Sequence, residues 1–301
     1  VGTDTNMYVD VYKYYKTSEI YSFKLTHFEW LFKILYEVLQ YFTANAQVLL
    51  AVISFITMLC FGIYIYNNST NVLFSTIIFA CLLYPNSFNI MRQYMGVSIA
   101  LNSHQYIKRN QYVRASILII IGSLIHTLAI LVFISMLIHM VKNWKLVRRT
   151  IIAASVIFFV FGDKLVSIIL SLMGRSFYLS GFEANRYFRL TTFITFLIAV
   201  LMYHFIKKND DKENIHELSW LASISYLNFD FGIMYLKYEF FSRIIELLNS
   251  YLIIGLPLGL KHDKSKYRSI IRVSVYLILF LLMLNQIYNS GSGISEYKFF
   301  F

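Results

Sequence analysis

The most constraining stretch of this sequence is an apolar run, residues 115 to 141, with basic residues at both ends: Lys108, Arg109 and Arg114 before it, and Lys142, Lys145, Arg148 and Arg149 after it. One helix crossing a bilayer would carry one of these clusters to the far side, whereas basic loops stay in the cytoplasm. The run is therefore expected to fold back near its middle in two limbs. Each limb would be about 13 residues or ~20 Å long at 1.5 Å per residue, short of the ~30 Å hydrocarbon core. His126 falls at the apex. Backbone that leaves the helix at membrane depth is tolerated only inside protein or beside a water-filled cavity, so a cavity is implied there.

Composition supports reading the run against a membrane. The chain is 58% hydrophobic and 14% charged, against about a quarter charged in soluble domains. A water-soluble globule, a disordered chain and a collagenous repeat are excluded, as is a disulfide-stapled domain, because both cysteines, Cys60 and Cys81, lie in apolar runs. The net charge of +11 does not indicate nucleic acid, since basic residues in such a chain serve first as topology signals. Two further basic connections, Lys207, Lys208 and Lys212, and Lys261, Lys264, Lys266, Arg268 and Arg272, bring the cytoplasmic total to 15 of the 27 Lys and Arg. Residues 1 to 47 then lie outside, 48 to 66 run inward, 72 to 88 outward and 89 to 107 inward. Beyond the fold-back, 150 to 173, 218 to 236 and 273 to 288 run outward, and 190 to 206 and 244 to 260 inward. The expected fold is an all-α polytopic helical integral membrane protein with re-entrant or broken helices, a single transmembrane domain over 1–301. It starts at Val1 without a signal peptide, as a fragment lacking its first membrane helix would.

Several outer-side residues carry chemistry. Arg92 opens a segment whose Gly96 and Ala100 are four apart, giving one smooth helix face. No acid lies within a helical turn of it, and an arginine near membrane depth is a functional candidate unless it only snorkels to headgroups. His126 can accept a proton near neutral pH, or can simply satisfy a backbone group freed by the helix break. Arg243 stands between Glu239 and Glu246 at spacings that also suit an ordinary helical ion pair. Arg186 and Arg189, one turn apart, suit either a phosphate-binding fork or lipid anchoring. Val1 to Thr5 reads as a compact polar turn. The sequence has no Asp-x-Asp pair for a metal-bound nucleotide sugar, no glycine-rich phosphate loop, no serine elbow and no Cys/His metal spacing, so neither a metal nor another cofactor is expected.

The run from Tyr84 to Leu101, which contains Arg92-Gln93-Tyr94-Met95-Gly96, is followed by a basic loop and then by Ile121-Gly122-Ser123-Leu124-Ile125-His126-Thr127. This pattern resembles the EpsG-like group of Wzy-type polysaccharide polymerases. The opening Val1-Gly2-Thr3-Asp4-Thr5 with Tyr8 looks like that family's outer loop, and Tyr297-Lys298-Phe299 like its C-terminal end. Two features depart from the pattern: the first helix is absent, and Thr127-Leu128 follows the histidine where a small residue is expected. The resemblance implies a metal-independent glycosyltransferase that joins undecaprenyl-pyrophosphate-linked oligosaccharide repeat units at the outer face of the bacterial cytoplasmic membrane, for capsule, exopolysaccharide or O-antigen. A flippase and a chain-length regulator are its implied partners. On this reading Arg92 and Arg243, with Arg186 or Arg189, grip the pyrophosphate, and Gln93 binds substrate beside Arg92. His126 deprotonates or orients the acceptor hydroxyl, and Asp4 and Tyr8 shape the sugar pocket. Two rival classes remain. A membrane O-acyltransferase modifying exported glycans would leave polymer length intact when lost, and a lipid-linked oligosaccharide flippase or transporter would leave repeat units inside the cell.

Overall fold

A computed structural model describes residues 3–141, 143–172, 190–207, 212–235, 238 and 240–289, and every element among them is helical. The contacts group the chain into two compact units, Val1–Leu137 with Lys266–Phe301, and Ile138–Ser265.

In the first unit three short helices, α1 (Thr3–Tyr14), α2 (Glu19–Thr26) and α3 (Trp30–Phe42), occupy the stretch expected as an outer loop. The polar turn expected at Val1–Thr5 is, from Thr3 on, the start of α1. These helices form because their aromatic residues recur at helical spacing: Phe28, Phe32 and Tyr36, each four apart, are buried, with Tyr8 and Tyr12 of α1 against them. The cluster continues into Ala46, Leu49 and Ile53 of α4 (Ala46–Asn68), and into Met91, Met95 and Ile125 further along the chain. Asn45 caps α4 by accepting a hydrogen bond from the Gln47 N–H at 3.0 Å.

The chain continues through α5 (Val72–Leu82) and a single turn, α6 (Tyr84–Ser87). Pro85 sits in its first turn, where the missing N–H costs nothing. Next come α7 (Met91–Leu101) and α8 (His104–Lys108). Asn110, in the left-handed region at φ 58°, then turns the chain into α9 (Tyr112–Ile125). The start of α7 shares a core with the start of α4, and near the other end the Asn102 side-chain amide donates to the Cys60 carbonyl at 2.9 Å. The two helices therefore run in the same direction, as the charge pattern requires of 48 to 66 and 89 to 107.

Helix α9 runs back the other way and touches α7 through glycines. A Cβ added at Gly96 would lie 2.7 Å from the Gly122 carbonyl oxygen and 3.1 Å from the His126 Cβ. One added at Gly122 would meet the Gly96 carbonyl oxygen even more closely, and the Ala100 Cβ at 3.0 Å. The helix then ends where the fold-back was expected. His126 is extended (φ −150°, ψ 119°), a 3-10 turn covers Thr127–Leu131, and α10 (Val132–Met140) follows. The Ser116 hydroxyl lies 3.9 Å from the Met136 sulfur, so the second limb returns along the first. Near the end of the chain, α16 (Arg268–Asn289) packs on α5 and α6, with Phe74 and Tyr276 in edge contact.

The second unit contains α11 (Trp144–Leu172), α12 (Leu190–Lys207), α13 (Lys212–Tyr235), α14 (Phe241–Asn249) and α15 (Leu252–His262). Helices α12 and α13 form an antiparallel pair in which the Thr192 hydroxyl donates to the Gly232 carbonyl at 2.8 Å. Gly259 brings α15 against the Phe205 ring of α12. Asn228 and Asn249 join α13 to α14 through a 2.8 Å side-chain hydrogen bond.

Among the described residues one helix, α4, is long and apolar enough to cross a membrane alone, and α14 with α15 reach that standard together across a 43° bend. The other expected crossings are present as helices, several of them short and apolar: Val72–Leu82, Tyr112–Ile125, Thr127–Met140 and Thr192–Lys207. Their apolar side chains are widely exposed, with Phe55 of α4, Val113 of α9 and Val273 of α16 each about two-thirds exposed or more.

The glycine contact gives a direct test. Gly122→Ala must push a backbone carbonyl aside and is expected to cost ~1–3 kcal/mol, as overpacking does. Gly62→Ala on α4, where an added Cβ meets nothing within 4 Å, is expected to be neutral or stabilising by ~0.5–1 kcal/mol. Thermal unfolding of both variants in detergent checks this, and equal melting points would contradict the crossing.

Candidate functional site

Arg92 is the second residue of α7, directly beyond the α6 turn. The Thr5 hydroxyl fastens α1 to this approach by donating to the Phe88 carbonyl at 2.9 Å. The Arg92 guanidinium carbon lies 4.6 Å from the Phe28 ring centre and 5.8 Å from that of Phe32. A cation over aromatic faces gains ~0.5–2 kcal/mol, more where water is excluded.

The acid missing near Arg92 in sequence is supplied from another helix. Glu29 occupies the N-cap position of α3 but makes no cap bond to its own helix. Instead its Oε2 lies 2.8 Å from Arg92 Nη1, and the two side chains keep only 15% (Arg92) and 19% (Glu29) of their surface exposed. This contact is an off-axis ion pair rather than an aligned hydrogen bond, and the buried Arg92 Nε takes no hydrogen bond among the described residues. Glu29 Oε1 accepts from both the backbone N–H and the hydroxyl of Thr127, each at 2.9 Å. One carboxylate thus joins the start of α7 to the first residue after the α9 break.

The electrostatics follow from that geometry. Burial pushes the Glu29 carboxyl up, but the Arg92 guanidinium, the two Thr127 hydrogen bonds and the nearby His126 together outweigh it and hold the group below its ordinary value of 4.5.

His126 is the cap of the 3-10 turn. Its Nδ1 accepts the Leu128 N–H at 3.3 Å. A ring nitrogen that accepts carries no proton, so the neutral ring holds its proton on Nε2. The N–H groups of Thr127 and Leu128, orphaned by the break, are thus taken by Glu29 and His126 respectively. Proton abstraction at Nδ1 would require giving up the bond to Leu128.

The remaining expected residues are distributed as follows. Tyr8 is 4% exposed and its ring packs on Phe28 and Phe32, which places it beneath Arg92 and not on a sugar. Gln93 is 3% exposed and, one residue on from Arg92, faces another direction around the helix, so it is an interior residue of the bundle and not one open to substrate. Asp4 lies on α1, with its side chain outside the described residues. Arg243 is exposed on α14 of the second unit. Arg186 and Arg189 fall outside the described residues, as does Tyr297. Sequence reasoning missed Glu29, Phe28 and Phe32. The available signal for Glu29 was only an acid before an amphipathic aromatic helix, which reads as an N-cap.

The depressed carboxyl sets the sign of a pH test. A group whose folded value is lowered contributes stability above its unfolded value and loses it as pH falls through the folded one. Acidification through and below 4.5 is therefore expected to lower the melting temperature of the parent protein more than that of Glu29→Gln. Parallel melting curves across that range would contradict the pairing.

Compared with known proteins, the chain matches the family model described as the EpsG family over residues 1–299. No curated protein and no solved structure matches it.

Proposed function

This chain belongs to the EpsG family, whose activity is glycosyl transfer in polysaccharide polymerisation, and from that premise we propose that it joins undecaprenyl-pyrophosphate-linked oligosaccharide repeat units at the outer face of the bacterial cytoplasmic membrane. The observation that carries the reading is the Arg92 site: a guanidinium anchored by Glu29 over two aromatic rings, held beside a helix break that bears His126. The widely exposed apolar side chains of α4, α9 and α16 support a multi-pass membrane setting, since soluble surfaces rarely carry such stretches. The basic connections support a cytoplasmic location for the opposite ends of the helices.

In the reaction the acceptor sugar's hydroxyl oxygen bonds to the anomeric carbon of the donor, and the bond from that carbon to the pyrophosphate breaks. The departing pyrophosphate takes the electron pair, and the proton of the acceptor hydroxyl passes to the pyrophosphate oxygen that leaves. Arg92 stabilises the charge that grows there through charge-assisted hydrogen bonds, whose worth rises where water is excluded. His126, donating from Nε2, orients the acceptor hydroxyl or a phosphate oxygen. Glycan repeat units carried on undecaprenyl pyrophosphate are the proposed substrates, with a flippase upstream and a chain-length regulator alongside.

Complementation of a polymerase-null strain tests this. Removing one such electrostatic donor costs ~10²–10³ in turnover, so Arg92→Ala is expected to abolish detectable polymer and leave single repeat units outside the cell. His126→Ala is expected to shorten or deplete polymer. Unchanged polymer length and amount in both variants would overturn the assignment. Loss of acyl decoration alone would indicate an acyltransferase, and repeat units trapped inside a flippase.

A further inference from the structure

We infer that Glu29 is the positioning residue of this site: its carboxylate spans α7 and the 3-10 turn and holds the Arg92 guanidinium and the His126 break in one fixed relation. The inference rests on the polymerase reading of Arg92 and adds to it a residue from outside the matched motifs. Three observations point the same way. Glu29 stands where an acid would ordinarily cap its own helix, and its side chain makes no such bond. Both of its oxygens are committed instead, Oε2 to Arg92 at 2.8 Å and Oε1 to two donors of Thr127, which lies 98 positions further along the chain. The ion pair also faces the aromatic floor of Phe28, the residue just before Glu29, so the same short segment holds the guanidinium from its edge and from its face.

The off-axis geometry makes this a positioning contact and not a competitor for the substrate. A bidentate carboxylate fork would consume the donors that a phosphate needs. Here Oε2 meets Nη1 and Oε1 is spent on Thr127, so the guanidinium is anchored without a fork. Because Glu29 also takes the Thr127 N–H, a shift of Arg92 and a shift of the turn that His126 caps are mechanically linked. A displacement of about 1 Å at such a site costs on the order of 10²-fold in rate.

The experiment uses the full chain in lipid nanodiscs, with lipid-linked repeat units extracted from a polymerase-null strain as substrate and with kcat and KM measured separately. Glu29→Gln keeps an oxygen for Thr127 but loses the charge that anchors Arg92. It is expected to lower kcat by about tenfold to a hundredfold with a smaller change in KM, and Glu29→Asp is expected to recover part of the loss. Glu29→Gln with kcat within about twofold of the parent, while Arg92→Lys is impaired, would overturn the positioning role and leave the polymerase reading standing. Unimpaired Arg92→Lys and Arg92→Ala would instead overturn that reading. Should Glu29→Gln fail to fold, Glu29→Asp, which keeps the charge on a side chain one carbon shorter, takes its place. A lowered kcat with KM little changed supports the inference, and kcat within about twofold of the parent overturns it.

Discussion

The site depends on how closely α7 and α9 approach each other. With side chains at Gly96 and Gly122 the two backbones could not meet at that distance, and the end of α9 would lie further from the start of α7. The break at His126 would then be out of reach of a carboxylate that also contacts Arg92. Small residues in a helix crossing usually serve packing. Here the same contact sets the distance over which the polar groups beyond it act.

Arg92 is stable in that position through two contacts of different kinds. The ion pair with Glu29 compensates its charge, and the rings of Phe28 and Phe32 give the guanidinium plane a surface that replaces lost hydration. Removing one partner leaves the other charge unpaired in a site largely screened from water, which destabilises the fold. A change at Arg92 therefore acts on the fold through Glu29 as well as on chemistry, and polymer yield is informative only when set against the amount of folded protein.

Much of this arrangement can be read along the chain, and the limit of that reading is physical. The fold-back at 126 was legible because basic residues on both sides of one apolar run admit no single crossing. Arg92 was legible because a lone cation in an apolar segment calls for a reason. Glu29 was not, since charge compensation depends on distance in space and the only local pattern around it is that of a helix cap. The interior positions of Tyr8 and Gln93 likewise follow from helical register and tertiary packing rather than from residue type. The expected outer loop is α1 to α3 because helices of 8 to 13 residues bury a narrow aromatic stripe without producing the long apolar run by which membrane helices are recognised.

The position of Glu29 in the chain also bears on how the protein is made. Synthesis proceeds from the amino terminus. The carboxylate of Glu29 and the rings of Phe28 and Phe32 therefore exist before Arg92 leaves the ribosome. Thr127 arrives later and completes the carboxylate's set of donors. The order of residues along the chain thus acts as an assembly schedule, in which the costly cation is never the first of its group to arrive.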